Sequence, residues 1–230
     1  MALPFPPPAS LSPSFIMARP TEADIEAMAD VYFEAFELDR GNTYWWSPDR
    51  AAQLAWSRRR VERKMRDPSV RHFKITDVAS GDLVAWARWN VPEGKEAVFG
   101  AVADATATAP AVTDYPEGAD PELCRGFFDA VDGMQKKWDA KSMLGLSVLC
   151  TSPKYFKRGA AKALLTPMLE IADAEGLRTI LEATATGKPL YEKLGFREVD
   201  ALKFDLSQLT KDMDGIYELT IMIREPKAKQ

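Results

Sequence analysis

The chain has 230 residues, of which 46% are hydrophobic and 28% charged, a composition typical of a globular protein. Its net charge of −4 predicts no overall attraction to nucleic acid or anionic membranes. Its single histidine, His72, excludes two-histidine zinc sites, non-haem iron triads and H-E-x-x-H metalloproteases, so we expect no bound metal. Its two cysteines, Cys124 and Cys150, are too few for a disulfide scaffold, which favours a reducing, cytoplasmic location.

Residues 1–14 form a proline-rich N-terminal segment. It lacks the basic start of a signal peptide, so we expect a flexible lead-in. Residues 15–230 are expected to form one domain. No apolar run in the chain approaches the roughly 18 residues that a membrane-spanning helix needs, so no membrane partner is expected.

Two helices are predicted next. The first covers residues 22–37, because Thr21 is a good N-cap, Asp24 follows it near capping-box spacing, and apolar residues recur at helical intervals. The second covers about 50–66 and is rich in arginine and lysine. Without interleaved aromatic residues, this run is typical of a solvent-exposed face and not of a nucleic-acid contact.

The middle of the chain predicts a β-hairpin and then an insertion. Residues 71–78 and 83–90 alternate between apolar and polar, and a four-residue turn joins them. The insertion spans about 91–141, with irregular sequence to 120 and an amphipathic helix over 120–139. A long irregular loop in a compact domain favours a role such as covering a site.

A strand, a basic loop and a helix follow. Residues 144–151 have the length and apolar character of a buried strand, and a helix with an internal proline, Pro167, is predicted from about Gly159. A helix N-terminus preceded by glycine and basic residues suits a phosphate group, although such a stretch is also typical of a plain loop. Neither the Walker motif nor G-x-G-x-x-G occurs in the chain.

Two short motifs resemble the GNAT superfamily of acetyl-CoA-dependent N-acetyltransferases. Residues 156–161, FKRGAA, resemble the family's acyl-CoA loop Q/R-x-x-G-x-G/A, and residues 190–196, LYEKLGF, resemble its late motif. Across residues 15–225 the order of elements is also similar. The resemblance implies an α/β fold with a mixed, mostly antiparallel central sheet, flanked by helices on both faces and splayed at the acyl-CoA site.

Acetyl-CoA is the cosubstrate that this resemblance implies. The amides of residues 157–162 would hold its pyrophosphate, and the backbone of Leu149 and Thr151 would pair with the pantetheine arm. Phe156 departs from the family's Q/R, which should weaken binding without abolishing it. The implied cofactor-binding residues are Leu149, Cys150, Thr151, Phe156, Lys157, Arg158, Gly159, Ala160, Ala161 and Lys162.

The same resemblance makes Tyr191 the general acid that protonates the departing CoA thiolate. The alternative is a packed core tyrosine. Backbone N–H groups near Leu149 would polarise the thioester carbonyl. No carboxylate lies in residues 144–150, so Glu182 on the next strand is the candidate base, with Glu34 and Asp39 behind it. An amine that arrives neutral would need no base.

No covalent enzyme intermediate is required, so Cys150 is expected to fill the core. His72, distant in sequence from both motifs, is expected to be structural.

Tyr44, Trp45 and Trp46 are the candidate residues of the acceptor pocket, suited to an apolar amine or to a cation over a ring. Alternatively, they only plug the space between the two N-terminal helices. We favour a small-molecule amine as acceptor. A protein or peptide N-acetyltransferase, a non-catalytic acyl-CoA-binding domain and assembly as a homodimer stay open.

Overall fold

The computed structural model describes residues 2–100, 102 and 115–228. Within these residues seven strands form one sheet, and six α-helices accompany it. In chain order the elements are β1 (Phe15–Ala18), α1 (Ile25–Glu37), α2 (Arg50–Met65), β2 (Val70–Asp77), β3 (Leu83–Asn90), α3 (Pro121–Lys137), β4 (Leu144–Thr151), α4 (Ala160–Ala174), β5 (Thr179–Ala183), α5 (Lys188–Lys193), β6 (Arg197–Asp205), α6 (Leu206–Leu209) and β7 (Ile216–Arg224).

The sheet has the strand order β1-β2-β3-β4-β5-β7-β6. All neighbouring strands are antiparallel except β4 and β5, which are parallel and pair only from Leu144↔Thr179 to Leu146↔Leu181. Beyond Leu146, β4 stays paired with β3 but separates from β5. The predicted mixed, mostly antiparallel and splayed sheet is therefore confirmed.

Helices cover both faces of this sheet. Residues of α1 and α2, among them Met28 and Val61, pack against Trp86 on one face. On the same face, Met134 of α3 packs against Ile180 of β5. The other face is covered by α4, whose apolar residues form the largest core cluster with β2, β3 and Tyr191 of α5. The predicted flanking of both faces is confirmed.

A β-bulge interrupts β4 at Ser147. Arg88 pairs with Val148 while the next residue of β3, Trp89, pairs with Leu146, so Ser147 is an extra residue without a partner in β3. Because a bulge reverses the side-chain alternation, Leu146 packs on the α4 face and Val148 on the α1 face. The bulge lies where β4 and β5 begin to diverge.

The predicted helices have the start signals that their sequences indicate. Thr21 and Asp24 form a capping box, with the Thr21 amide donating to Asp24 Oδ2 at 2.7 Å, and a 3₁₀ turn over Glu22–Asp24 leads into α1. The Asp49 and Asp120 side chains accept hydrogen bonds from the first backbone amides of α2 and α3. Helix α4 continues through Pro167 to Ala174.

The N-terminal segment differs from the expected flexible lead-in. Leu3, Phe5 and Leu11 pack against the main core, and the Phe5 ring lies 5.0 Å from the Phe73 ring. The physical reason is that these apolar residues alternate with the prolines and cover the α4 face of the sheet near its edge. In the insertion, Val91 and Phe99 are buried, whereas residues 101 and 103–114 lie outside the described part of the chain.

Candidate active site

A cavity of about 890 Å³ occupies the gap between the diverging strands β4 and β5. One end reaches the loop before α4 and helix α5, and the other lies between the sheet and helices α1, α2 and α3. Its lining includes every residue predicted for cofactor binding and catalysis: Leu149, Cys150, Thr151, Phe156, Lys157, Arg158, Gly159, Ala160, Ala161, Lys162, Glu182 and Tyr191. Elements that lie far apart in the sequence therefore meet at this cavity.

The loop before α4 has the geometry of an anion cradle. Lys157 and Gly159 have φ angles of 62° and 83°, and Gly159 is the N-cap of α4 without any side-chain cap. The first backbone amides of α4 therefore lack the side-chain partner that usually satisfies them. A Cβ built at Gly159 meets nothing within 4 Å, so the backbone is open to a ligand there. These features fit the pyrophosphate of a CoA molecule.

Tyr155 fixes this loop to the hairpin between β2 and β3. Its hydroxyl donates to Asp82 Oδ2 at 2.8 Å, and Lys154 Nζ donates to the same oxygen at 2.6 Å. The hydrogen bonds from Lys154 and then Tyr155 lower the Asp82 pKa to about 2. The sequence alone does not identify Asp82, because an aspartate in a turn gives no sign of its distant partner.

The edge of β4 that faces the gap offers free backbone groups. From Ser147 to Thr151 no described strand pairs with β4 on its β5 side, so its amides and carbonyls there can bind an extended ligand. Cys150 is buried, its thiol lies 3.9 Å from the Trp86 carbonyl oxygen, and burial raises the thiol pKa well above its ordinary value. The Cys150 side chain thus packs in the core, as expected.

Tyr191 of α5 lines the same cavity as the loop before α4. Its ring packs 5.8 Å from the Phe196 ring, and no described residue hydrogen-bonds to its hydroxyl. Burial raises the Tyr191 pKa above its ordinary value, with the nearby Cys150 and Glu182 adding to the shift. The phenol is therefore protonated at neutral pH.

Glu182 lies at the strand split, because it follows Leu181, the last residue of β5 that pairs with β4. Gln135 Nε2 donates to Glu182 Oε1 at 3.2 Å, and burial raises the Glu182 pKa. Of the other two candidates, Asp39 also lines the cavity, and burial raises its pKa too. Glu34 is not part of the lining and accepts a hydrogen bond from Ser152 Oγ at 3.2 Å.

Comparison with known protein families gives a match to part of the sequence. The family described as "Acetyltransferase (GNAT) domain" matches residues 134–206, which run from α3 to α6 and include the loop before α4, Glu182 and Tyr191. None of the curated proteins matches the chain.

Solved structures share the GNAT fold over nearly the whole chain. A Corynebacterium glutamicum protein described as histone acetyltransferase HPA2 and related acetyltransferase is 23% identical, with a TM-score of 0.57 and coverage of 94% of this chain and 99% of its own. The mosquito arylalkylamine N-acetyltransferase like 5b is 13% identical, with a TM-score of 0.59 and coverage of 92% and 100%. The PaiA N-acetyltransferase of Thermoplasma acidophilum, solved with coenzyme A, is 14% identical, with a TM-score of 0.51 and coverage of 92% and 99%.

The cavity end between the sheet and helices α1, α2 and α3 differs from the prediction made for the acceptor pocket. Trp45 lines the cavity, but Tyr44 and Trp46 do not. The reason is the 3₁₀ turn over Arg40–Trp45, which directs consecutive side chains to different surroundings. Tyr44 packs among Phe127, Phe204 and Tyr217, and Trp46 packs against Tyr32 and Phe33. Tyr44 and Trp46 therefore pack in the protein interior, and the other rings that line the cavity include those of Tyr32, Trp56, Phe127 and Phe128.

The basic helix α2 is only partly a solvent-exposed face. Arg58 pairs with Glu26 within α1 at 2.9 Å, and Arg66 pairs with Glu22 just before α1 at 3.1 Å. Arg60 and Lys64, by contrast, line the cavity. The guanidinium of Arg60 lies 5.1 Å from the Trp56 ring and 5.0 Å from the Phe128 ring. The helical period could have revealed this second face.

No helix in the described residues is long and apolar enough to cross a membrane. Across the same residues, no group of three or more His, Cys, Asp or Glu side chains is placed to hold a metal ion.

Proposed function

We propose that the protein transfers an acetyl group from acetyl-CoA directly to the amine of a small molecule. The observation that carries this proposal is that one cavity joins the uncapped N-terminus of α4, Tyr191 and Glu182. Its acceptor half lies between the sheet and three helices and is lined by aromatic rings, which suits an enclosed small molecule better than an extended peptide.

The loop before α4, residues 156–159, and strand β4 hold and orient the cosubstrate. Amides of residues 157–162 bind the pyrophosphate, and the basic side chains Lys157, Arg158 and Lys162 add charge. The free edge of β4 binds the pantetheine arm in the manner of an added strand. Phe156 is 44% exposed at the cavity, so its ring can lie against the cosubstrate without filling the loop.

Two protons move during the reaction. Acetyl-CoA supplies the thioester carbon that the amine attacks. Glu182 takes a proton from the amine nitrogen, and its raised pKa makes it a stronger base than an ordinary glutamate. Backbone N–H groups of β4 beside the bulge hydrogen-bond the carbonyl oxygen. As the carbon–sulfur bond breaks, Tyr191 donates its proton to the sulfur, and exchange with solvent restores both groups.

The test is thiol release from acetyl-CoA with a panel of small amines and a peptide with a free N-terminus. Tyr191→Phe should lower kcat about 10²- to 10⁴-fold while leaving CoA affinity unchanged, because only the proton donor is lost. Tyr44→Phe is the matched control, since Tyr44 is equally buried at 7% exposure but lies outside the cavity lining.

Absence of thiol release with every amine, while CoA still binds, would reject the enzyme and favour a non-catalytic acyl-CoA-binding domain. Transfer to the peptide alone would favour a peptide N-acetyltransferase.

A further inference from the structure

Arg88 is a buried cation in the cavity without an acidic partner. It lies on β3, is 7% exposed and lines the acceptor half of the cavity. Its Nε donates to Ser147 Oγ at 2.9 Å. No carboxylate among the described residues forms an ion pair with its guanidinium.

An isolated buried charge is costly unless a counter-charge or hydrogen bonds compensate it. Burial and the nearby Arg60 lower the Arg88 pKa to about 9, so the group stays charged at neutral pH. A guanidinium carries five N–H donors, and Ser147 occupies only one of them. The remaining donors form the planar fork that binds a carboxylate through two parallel hydrogen bonds.

The position of Arg88 relates this fork to the candidate base. One row of paired residues crosses β3, β4 and β5 at Asn90, Gly145 and Ile180. Arg88 lies two residues from Asn90 on β3, and Glu182 lies two residues from Ile180 on β5. Because side chains alternate along a strand, Arg88 and Glu182 face the same side of the sheet. Ser147, which Arg88 contacts, and Glu182 also line a small cavity of about 80 Å³. The two charged groups therefore lie on the same side of the sheet, on the two strands that flank β4.

The charge arrangement favours a carboxylate as the bound group. Arg60 and Lys64 of α2 line the same part of the cavity and add positive charge. Lys64 is itself paired with Asp67 at 2.9 Å, and Arg60 makes its own contacts with aromatic rings. A singly charged, planar anion matches the guanidinium of Arg88, for which the described residues supply no acidic partner.

Resting on the proposed acetyl transfer, we propose that Arg88 binds a carboxylate of the acceptor. The substrate is then a small amino acid, with its amine beside Glu182 and its carboxylate on Arg88. Arg88 acts as a specificity-determining residue and takes no part in the proton transfers.

Binding of product analogues tests this assignment without any need for turnover. The probes are the N-acetyl derivatives of glycine, methionine and phenylalanine, each compared with its own carboxamide by calorimetry in the presence of CoA. The wild-type protein should bind at least one acid about 10- to 100-fold more tightly than its amide, as expected for a charge-assisted hydrogen-bond pair. Arg88→Met should remove this preference, and Arg88→Lys should restore part of it.

Arg71→Lys is the control, because Arg71 is also buried on a neighbouring strand but bonds only to backbone carbonyls outside the cavity lining. It should keep the full preference for the acid.

Equal affinity for acids and amides, no measurable binding of any acid, or a preference that survives in Arg88→Met would overturn the proposal. A preference for acids in a protein that acetylates no amine would instead reject the proposed function and leave the carboxylate site in place. Acetylation of amines without any preference for acids would support the proposed function and reject the carboxylate site.

Discussion

Gln135 Nε2 donates a hydrogen bond to Glu182 Oε1 at 3.2 Å, and this contact joins α3 to β5 where the sheet opens. A neutral amide compensates only part of the cost of burying a carboxylate, so burial dominates and the Glu182 pKa is raised. The same burial that strengthens Glu182 as a base therefore lowers the stability of the protein when the group is charged.

Glu182→Gln should lower kcat about 10²- to 10⁴-fold, because the substituted amide cannot accept the amine proton. The base must be deprotonated, so wild-type activity rises with pH through the Glu182 pKa, above the ordinary glutamate value. The pH–rate profile of the wild-type protein should show this acidic limb. Glu34→Gln, outside the cavity lining, should keep both the rate and the limb; a large loss of rate in this control would move the base to Glu34.

Glu182→Gln should also be more stable at neutral pH than the wild-type protein. With its pKa raised on folding, Glu182 contributes stability below its unfolded pKa that is lost as pH rises through its folded pKa. Glu182→Gln removes this loss and can still accept the Gln135 hydrogen bond. Urea unfolding should therefore give a higher free energy of unfolding for the variant at pH 8, with the advantage shrinking toward pH 4. A variant less stable at pH 8 would contradict the burial argument.

Gly159→Glu should abolish CoA binding while the protein stays folded. A Cβ at this position meets no described atom within 4 Å, but the glutamate places a negative charge where the pyrophosphate would lie. Gly176→Glu is the matched control, because Gly176 also has a positive φ and open space but follows the other end of α4. Calorimetry with CoA should show binding only to the control, and both variants should lose a similar amount of stability from backbone strain, about 1–3 kcal/mol. Equal CoA affinities would refute the phosphate-loop assignment.

Asp173→Ala should be strongly destabilising. Both carboxylate oxygens of Asp173 lie 2.7 Å from the Arg224 guanidinium, which is 3% exposed, and the pair joins α4 to β7. Removing one partner leaves a buried charge uncompensated, at a cost of about 3–5 kcal/mol in the free energy of unfolding. Asp132→Ala breaks an exposed pair with Lys136 and should cost far less, because solvent screens that pair. Urea unfolding of the two variants should separate them clearly, and similar values would show that the buried pair contributes no more than the exposed one.

His72→Phe should make the protein less sensitive to acid. Burial, with Arg88 and Lys64 nearby and Asp67 opposing them, lowers the His72 pKa to about 3. Its stabilising contribution is therefore complete above the unfolded value near 6.5 and is lost as pH falls toward 3. Between pH 8 and pH 5 the wild-type protein should lose about 2 kcal/mol more than the variant, measured by urea unfolding at both pH values. Parallel losses would show that His72 becomes protonated in the folded state.

The sequence predicts much of the fold because its local signals are strong. The apolar strand β4, the basic turn and the glycine before α4 lie within one short stretch, and each signal is local to the backbone. The sequence does not predict the bulge at Ser147. Buried residues alternate regularly along β4, so the pattern does not show that Leu146 and Val148 face opposite sides of the sheet. Burial alone does not reveal which face a residue joins.

The acceptor site was harder to predict for a related reason. A 3₁₀ turn sends Tyr44 and Trp45 to different surroundings, and no sequence period describes a turn of that length. Arg88 stands in an otherwise apolar strand segment, LVAWARWN, and a lone charge in such a run was the signal that could have identified it. Its meaning depends on Ser147, which lies far along the chain.

The short seam between β4 and β5 divides the sheet into two smaller sheets, β1–β4 and β5–β7–β6, joined directly by three residue pairs. Any molecule that lies along the free edge of β4 and touches α5 adds contacts across that seam. The proposed cosubstrate would lie in this position, so its binding adds contacts between the two halves and the free energy of unfolding should rise with its concentration.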